Sequence, residues 1–379
     1  MDRKRNEKAR IRIILKAIDP LLKIEKCYGI FRFHLMGDHL VRTNRKMKVF
    51  GISFMSVLLI LCFLYLIHIS HTIKVFNIAA IVELVDIMPL VIVAIQYCVS
   101  TIIFLQLSDK NIELIKTLAK IDHILNISVN SNHFRKLRKN VIIIFYEMIY
   151  FTIDFPRHLE FISFYILIKI LSERLDILNK YLLNFIKFKD DETCFLLFNN
   201  IEFNEDYNKS LNFVGRISSK NKKVIRLAAA YEGIAKANNL VNDIFKFQNF
   251  ITLVSTFIYI IITLWTSIYY YRTSKYSKTF LTIIVQCIYE IFIIAIMSYV
   301  CDSMTSKRSE TKIYINMLIM DYNLPEPMRN QAKVFIELIE VWSLEIFAYM
   351  FPIDIKLILK FISVSTAYLI VIIQITHFL

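Results

Sequence analysis

The run VFGISFMSVLLILCFLYLIHI, residues 49–69, contains no Asp, Glu, Lys or Arg and follows directly on Arg45, Lys46 and Lys48. A bilayer's hydrocarbon core takes about 20 apolar helical residues, so this stretch predicts a membrane-spanning helix. Working outward, six more stretches repeat the pattern. Residues 79–107 are broken by Glu83, Asp86 and Pro89, which predicts a tilted helix kinked at Pro89. Residues 140–155 are short and hold Glu147 and Asp154, whereas residues 159–185 begin apolar and then carry Lys169, Glu173, Arg174 and Asp176, the pattern of a helix that leaves the bilayer before it ends. Residues 249–271, 279–300 and 355–379 complete a set of seven spans.

Composition agrees with a membrane class: 56% of the 379 residues are hydrophobic and the mean hydropathy is +0.51. Five glycines, none close to another, leave no phosphate-cradling loop, and nucleotide-binding folds are excluded. The six cysteines lack the paired spacing of a zinc site or the density of a disulfide scaffold. No HExxH, GxSxG or P-loop pattern occurs, so neither an enzyme nor a cofactor or metal centre is expected. The first residues, MDRKRNEKARIRIILKAID, are too charged for a signal peptide and are expected to be retained.

The formal charge is +14, and its distribution excludes a nucleic-acid partner. Of the 46 Lys and Arg residues, 36 fall in alternate gaps beginning with the amino-terminal tail. Basic residues mark the cytoplasmic side. The expected topology is therefore inverted with respect to a G-protein-coupled receptor, with the amino terminus cytoplasmic and the carboxyl terminus outside. The sequons at Asn126 and Asn208 then lie inside and are expected to stay unglycosylated. The organisation that follows is a cytoplasmic segment over residues 1–46, six helices over 47–300 with a cytoplasmic helical insert at 187–247, a cytoplasmic helical segment at 301–354, and a seventh helix at 355–379. In the 301–354 segment Val334, Leu338 and Val341 recur at helical spacing, continuing into Leu344 and Phe347. No internal repeat or matched pair of halves appears.

Four motifs carry a resemblance. AYLIVIIQI, Ala367 to Ile375, is similar to the gustatory-receptor pattern Thr-Tyr, five apolar residues, Gln-Phe; it keeps Tyr368 and Gln374 and departs at Ala367 and Ile375. FPIDIKLI, beginning at Phe351 and containing Asp354, resembles that family's Phe-x-Ile-Asp-x-x-Leu-Leu approach to the last helix, with Tyr349 where the family usually has Gly. RLDILNKYL, with Arg174 and Asn179, resembles the stretch closing the fourth helix, and VNDIFKFQNFITLVSTFI, with Asn242, resembles the approach to the fifth. In this order, on an inverted seven-span frame, they make the chain resemble the insect gustatory receptors, relatives of the odorant receptors.

The resemblance implies an all-α plasma-membrane protein of sensory neurons that acts as a ligand-gated, non-selective cation channel. Four subunits, alike or mixed with other gustatory receptor subunits, would each give the last helix to a central pore, and a tastant would bind in the outer half of each bundle. Membrane lipid and permeant cations are the other partners. In the last helix Lys356, Lys360, Ser363, Ala367, Ile370, Gln374 and His377 form one seam at 3.5-residue spacing. Gln374 is the expected pore-lining amide, Ile370 and Ile375 are candidates for a constriction that gates by dewetting, and Ala367 and Tyr368 complete the set. Gln374 also has a plainer role open to it, bonding a neighbouring helix. Asp354 reads as an N-cap.

On the expected topology, Glu83, Asp86, Glu147, Tyr150, Phe151, Tyr165, Trp265 and Tyr289 fall in the outer halves of their helices. Intramembrane carboxylates are costly to bury and mark functional sites, and aromatic rings suit amphipathic or cationic ligands; each ring also has a reading as core or interfacial packing. A secondary transporter, an odorant receptor, and an inverted receptor signalling through a soluble partner are the alternatives.

Overall fold

The computed structural model describes residues 2–36, 39–76, 80–127, 139, 155–187, 219–272 and 277–378. These form helices α1 (Asp2–Cys27), α2 (Arg45–Phe76), α3 (Ala80–Gln106), α4 (Ser108–Ile124), α5 (Phe155–Lys187), α6 (Ser219–Arg272), α7 (Ser277–Met320), α8 (Glu326–Val341) and α9 (Ile355–Phe378). Two small antiparallel hairpins were not expected: β1 (His34–Met36) with β2 (His39–Val41), and β3 (Phe347–Ala348) with β4 (Phe351–Pro352). The expected span at 140–155 lies outside the described residues except for Phe155.

Among the described residues, three stretches are long and apolar enough to cross a bilayer, Arg45–His68, Lys223–Thr263 and Cys287–Met320, with Ala94–Gln106 as a shorter apolar helix. Pro89 lies within α3, whose helical assignment is unbroken from Ala80 to Gln106. α6 and α7 are far longer than a bilayer requires, at 54 and 44 residues. Their surplus turns pack with α1, α4, α5 and α8 into one continuous helical core.

Side-chain pairs set the register of this bundle. Gln96 Nε2 donates to Ser255 Oγ at 2.7 Å and Gln248 Nε2 to Ser100 Oγ at 3.0 Å, so α3 and α6 run antiparallel. Thr311 Oγ1 donates to Asn179 Oδ1 at 2.6 Å and Lys307 Nζ to Ser172 Oγ at 3.0 Å, so α5 and α7 run side by side in the same direction. The offsets are 135 residues for Ser172 with Lys307 and 132 for Asn179 with Thr311, which set Phe155, the first residue of α5, within a turn of Glu290. α7 begins 13 residues before Glu290, about 20 Å further along the axis.

This register places the first half of the expected span at 159–185 among other helices. That apolar half reads like a lipid-facing span, but Leu159, Ile162, Phe164, Ile168 and Leu171 are all buried against protein. An apolar run has the same composition whether lipid or a protein core covers it. Below it, Arg174 is 1% exposed and pairs with Asp122.

α8 turns inward a different stripe from the one marked by Val334, Leu338 and Val341. It buries Met328, Ala332, Phe335 and Ile339, while Val334 and Val341 are exposed and Leu338 is half-buried. Two apolar stripes share this helix, and periodicity alone does not choose between them.

The chain after α1 is held by a buried ion pair. Arg32 makes a forked contact with Glu25, with bonds of 2.6 to 2.9 Å, and its guanidinium lies 4.0 Å from the Phe104 ring centroid. Ser163 Oγ donates to the same Glu25 carboxylate at 2.6 Å. The start of α5 therefore lies at the end of the bundle that holds α1.

Candidate functional site

α9 is attached to the rest of the chain by one stripe. Leu357, Ile358 and Phe361 pack against the core, Ser365 is buried, and Phe257 of α6 meets Phe361 and Tyr368 edge-on at ring separations of 5.9 and 5.5 Å. Lys356, Lys360, Ser363, Ala367, Ile370 and Gln374 are exposed together on the remaining surface. Ile375 and His377 are helical, but their side chains fall outside the described set. Tyr368, half exposed, meets Phe257 of α6 beside the seam: 368 is one residue past 367, and one residue turns a helix by about 100°.

Below α9, the linker from α8 is bonded to α6. Tyr231 Oη donates to the Trp342 carbonyl at 2.9 Å. Asn242 donates from Nδ2 to the Glu345 carbonyl at 2.8 Å and accepts the Phe347 N–H on Oδ1 at 3.0 Å. Tyr349 N–H donates to the Lys246 carbonyl at 3.0 Å. Asp354 Oδ1 accepts the Leu357 N–H at 2.9 Å, which starts α9. α6 therefore positions the last helix through backbone groups of the linker. Burial pushes the Tyr231 hydroxyl up to about 12, against the opposing effect of Arg308, so it stays a donor at any physiological pH.

The expected pocket residues are only partly brought together. In the antiparallel α3 and α6 pair, Asp86 lies ten residues before Gln96 and Trp265 ten after Ser255, so their backbones stand level, with Glu83 one turn further. The side chains of Glu83, Asp86 and Trp265 fall outside the described set, as do Glu147, Tyr150 and Phe151 altogether. Tyr289 is half-buried on α7. Tyr165 does not join it: the same 135-residue offset sets Tyr165 level with Val300, about 16 Å from Tyr289 along the bundle, and its ring instead lies 6.4 Å from Phe161.

One intramembrane acid escaped the sequence reading. Glu290 is 1% exposed and accepts a long bond of 3.5 Å from Thr256 Oγ1. It is the sole charged residue of the 279–300 run, and that isolation was the available signal. The Gln96–Ser255 and Gln248–Ser100 bonds were missed for a different reason, since only the register pairs them.

Together these features define an all-α, multi-pass membrane protein whose last helix is bonded to its neighbours at its base and exposed along most of its length. A family model described as 7tm chemosensory receptor matches residues 149–376, and the chain belongs to that family, whose members are receptors and not enzymes. No curated protein matches it. Among solved structures it is similar to the insect olfactory receptor OR5 from Machilis hrabei in complex with eugenol, with a TM-score of 0.61 at 11% identity over 95% of this chain and 98% of the other. It is also similar to the same receptor in a second structure, with a TM-score of 0.58 at 13% identity over 96% and 99%. The likeness is one of fold: the seven-transmembrane chemoreceptor architecture.

Proposed function

We propose that this chain is a gustatory-type chemoreceptor that works as a ligand-gated, non-selective cation channel of four subunits in the sensory neuron's plasma membrane. The amino terminus and the 187–247 and 301–354 segments lie in the cytoplasm, and α9 crosses outward and lines the pore. The observation that carries this reading is the exposed seam of α9. A lone subunit in a bilayer would offer Ser363 and Gln374 to hydrocarbon, where an amide finds no partner and burial is costly. Further copies of α9 around a water-filled axis supply those partners, and a ring of Gln374 amides ligands a partly dehydrated cation without holding it tightly. The four motifs favour the gustatory assignment; the fold likeness to OR5 favours an odorant receptor and is the second reading.

The ligand is a small organic molecule entering between α3, α6 and α7, near Asp86, Glu83, Trp265 and Tyr289, with Glu147, Tyr150 and Phe151 completing the wall. A structural relative in complex with eugenol is a precedent for ligand size. In cells expressing the chain with its partner subunits, tastant should evoke a cation current, and Gln374→Ala should change relative permeability while surface expression stays unchanged. Saturable uptake without unitary current steps would instead mark a transporter.

A further inference from the structure

The contact between the end of α1 and the start of α2 is made by bare backbone. A Cβ added to Gly51 would stand 2.6 Å from the Gly29 carbonyl oxygen, and Gly29 itself has φ +73°. Phe31 and Phe50 close the contact from the side, at a ring separation of 6.0 Å. Lys26 lies three residues before this crossing, and Arg45, Lys46 and Lys48 lie three to six residues before it on the other strand of chain, so the crossing brings together, as one rim, the two chain segments that carry them. All four are exposed, and among the described residues none is paired with an acid. Nearby Arg42, by contrast, pairs with Asp109.

This charge stands where a helix least favours it. The first turn of α2 has no acidic residue, yet the free N–H groups and macrodipole of a helix N-terminus already present positive charge and favour an anion. Immediately above, Val49, Phe50, Ile52 and Val57 are exposed at 63, 52, 49 and 54%, an apolar band open to lipid tails. Cations and a helix start without an acidic residue in its first turn thus sit at the end of this band, the depth of the phosphates of an adjoining leaflet.

We propose that this rim is a binding site for the phosphorylated headgroup of an anionic phospholipid, held by Lys26, Arg45, Lys46, Lys48 and the first N–H groups of α2. The site rests on the reading that α2 spans the bilayer with this end in the cytoplasm. The lipid neutralises the helix start and pins the α1 to α2 corner to the membrane surface, which in turn steadies the Glu25–Arg32 pair that joins this segment to Ser163 of α5.

The full-length receptor in phosphatidylcholine nanodiscs doped with fluorescent phosphatidylinositol bisphosphate tests the site. The wild type should retain the labelled lipid in preference to labelled phosphatidylcholine, and retention should weaken as salt rises. Arg45→Gln, Lys46→Gln and Lys48→Gln combined should lower lipid affinity roughly tenfold or more, while Lys333→Gln on exposed α8 should leave it unchanged. Equal retention by the triple variant, salt-insensitive retention by the wild type, or no preference over phosphatidylcholine would each overturn the proposal. Soluble inositol trisphosphate binding as tightly as the lipid would also overturn it, by making the ligand a free phosphate compound. Nanodiscs expose both faces, so sidedness is read separately: exposed Cys27 should react with an impermeant maleimide only in permeabilised cells. Labelling of intact cells would sink the orientation while leaving the lipid measurement standing.

Discussion

Arg174 Nε lies 2.7 Å from Asp122 Oδ1, and Arg174 Nη2 donates to Asp122 Oδ2 at 2.8 Å, with both side chains almost wholly removed from solvent. The pair joins α4 to α5 inside the helical core, and Arg174 also donates to the Ile170 carbonyl at 3.0 Å. Arg174→Leu would leave a buried carboxylate without its partner and should cost about 3 to 5 kcal/mol. Adding Asp122→Leu should recover much of that loss. Thermal melts of the detergent-solubilised receptor measure both; a single variant that melts like the wild type would mean that water reaches the site.

Asn242 satisfies two backbone groups of the linker that leads into α9. Asn242→Ala should lower stability by about 1 kcal/mol, the usual net worth of such bonds, because the Glu345 carbonyl is open to water and the Phe347 N–H is only partly buried. The same change loosens the base of the last helix, so the ligand concentration for half-maximal current should also move. A stability loss with an unchanged dose–response curve would confine Asn242 to folding.

Gly51→Ala should disturb the α1 to α2 crossing, because a methyl 2.6 Å from the Gly29 oxygen must push backbone rather than a side chain. Overpacking of this kind costs about 1 to 3 kcal/mol. Fluorescence size-exclusion yield of Gly51→Ala against the wild type checks it; an equal yield at equal melting temperature would show that the crossing is looser than its geometry.

Tyr349 occupies the first turn position of the β3–β4 hairpin with φ +56°, a left-handed conformation that glycine adopts freely and that hairpins of this length fill with it. Tyr349→Val should lower stability by about 1 to 2 kcal/mol, since a branched Cβ suits that region least. Tyr349→Gly should raise it. A glycine variant that melts below the wild type would show that the Tyr349–Phe250 contact, at 5.9 Å between ring centroids, outweighs the backbone strain.

Some of this was open to inspection along the chain. Uninterrupted apolar runs identified α2 and the apolar halves of α6 and α7, because in lipid a helix must satisfy its own backbone and cover itself in apolar side chains. The seam of α9 was legible from spacing, since helical geometry alone dictates which residues share a face. Other features were not legible for reasons equally local. α5 has the composition of a span and is covered by protein, and α8 carries two apolar stripes of which one is buried.

The sequence by itself determined the membrane class, the apolar runs and the grouping of residues by helix face, because hydropathy and helical periodicity are properties of neighbours along a chain. Only the tertiary structure decided which face each helix turns inward, that α5 begins within a turn of Glu290, that Asn242 carries the linker to α9, and that Gly29 meets Gly51 where α1 passes to α2. Those are matters of register between helices distant in the chain. Register is set by pairs such as Gln96 with Ser255 and Ser172 with Lys307, whose partners are 159 and 135 residues apart, a separation that no local pattern spans.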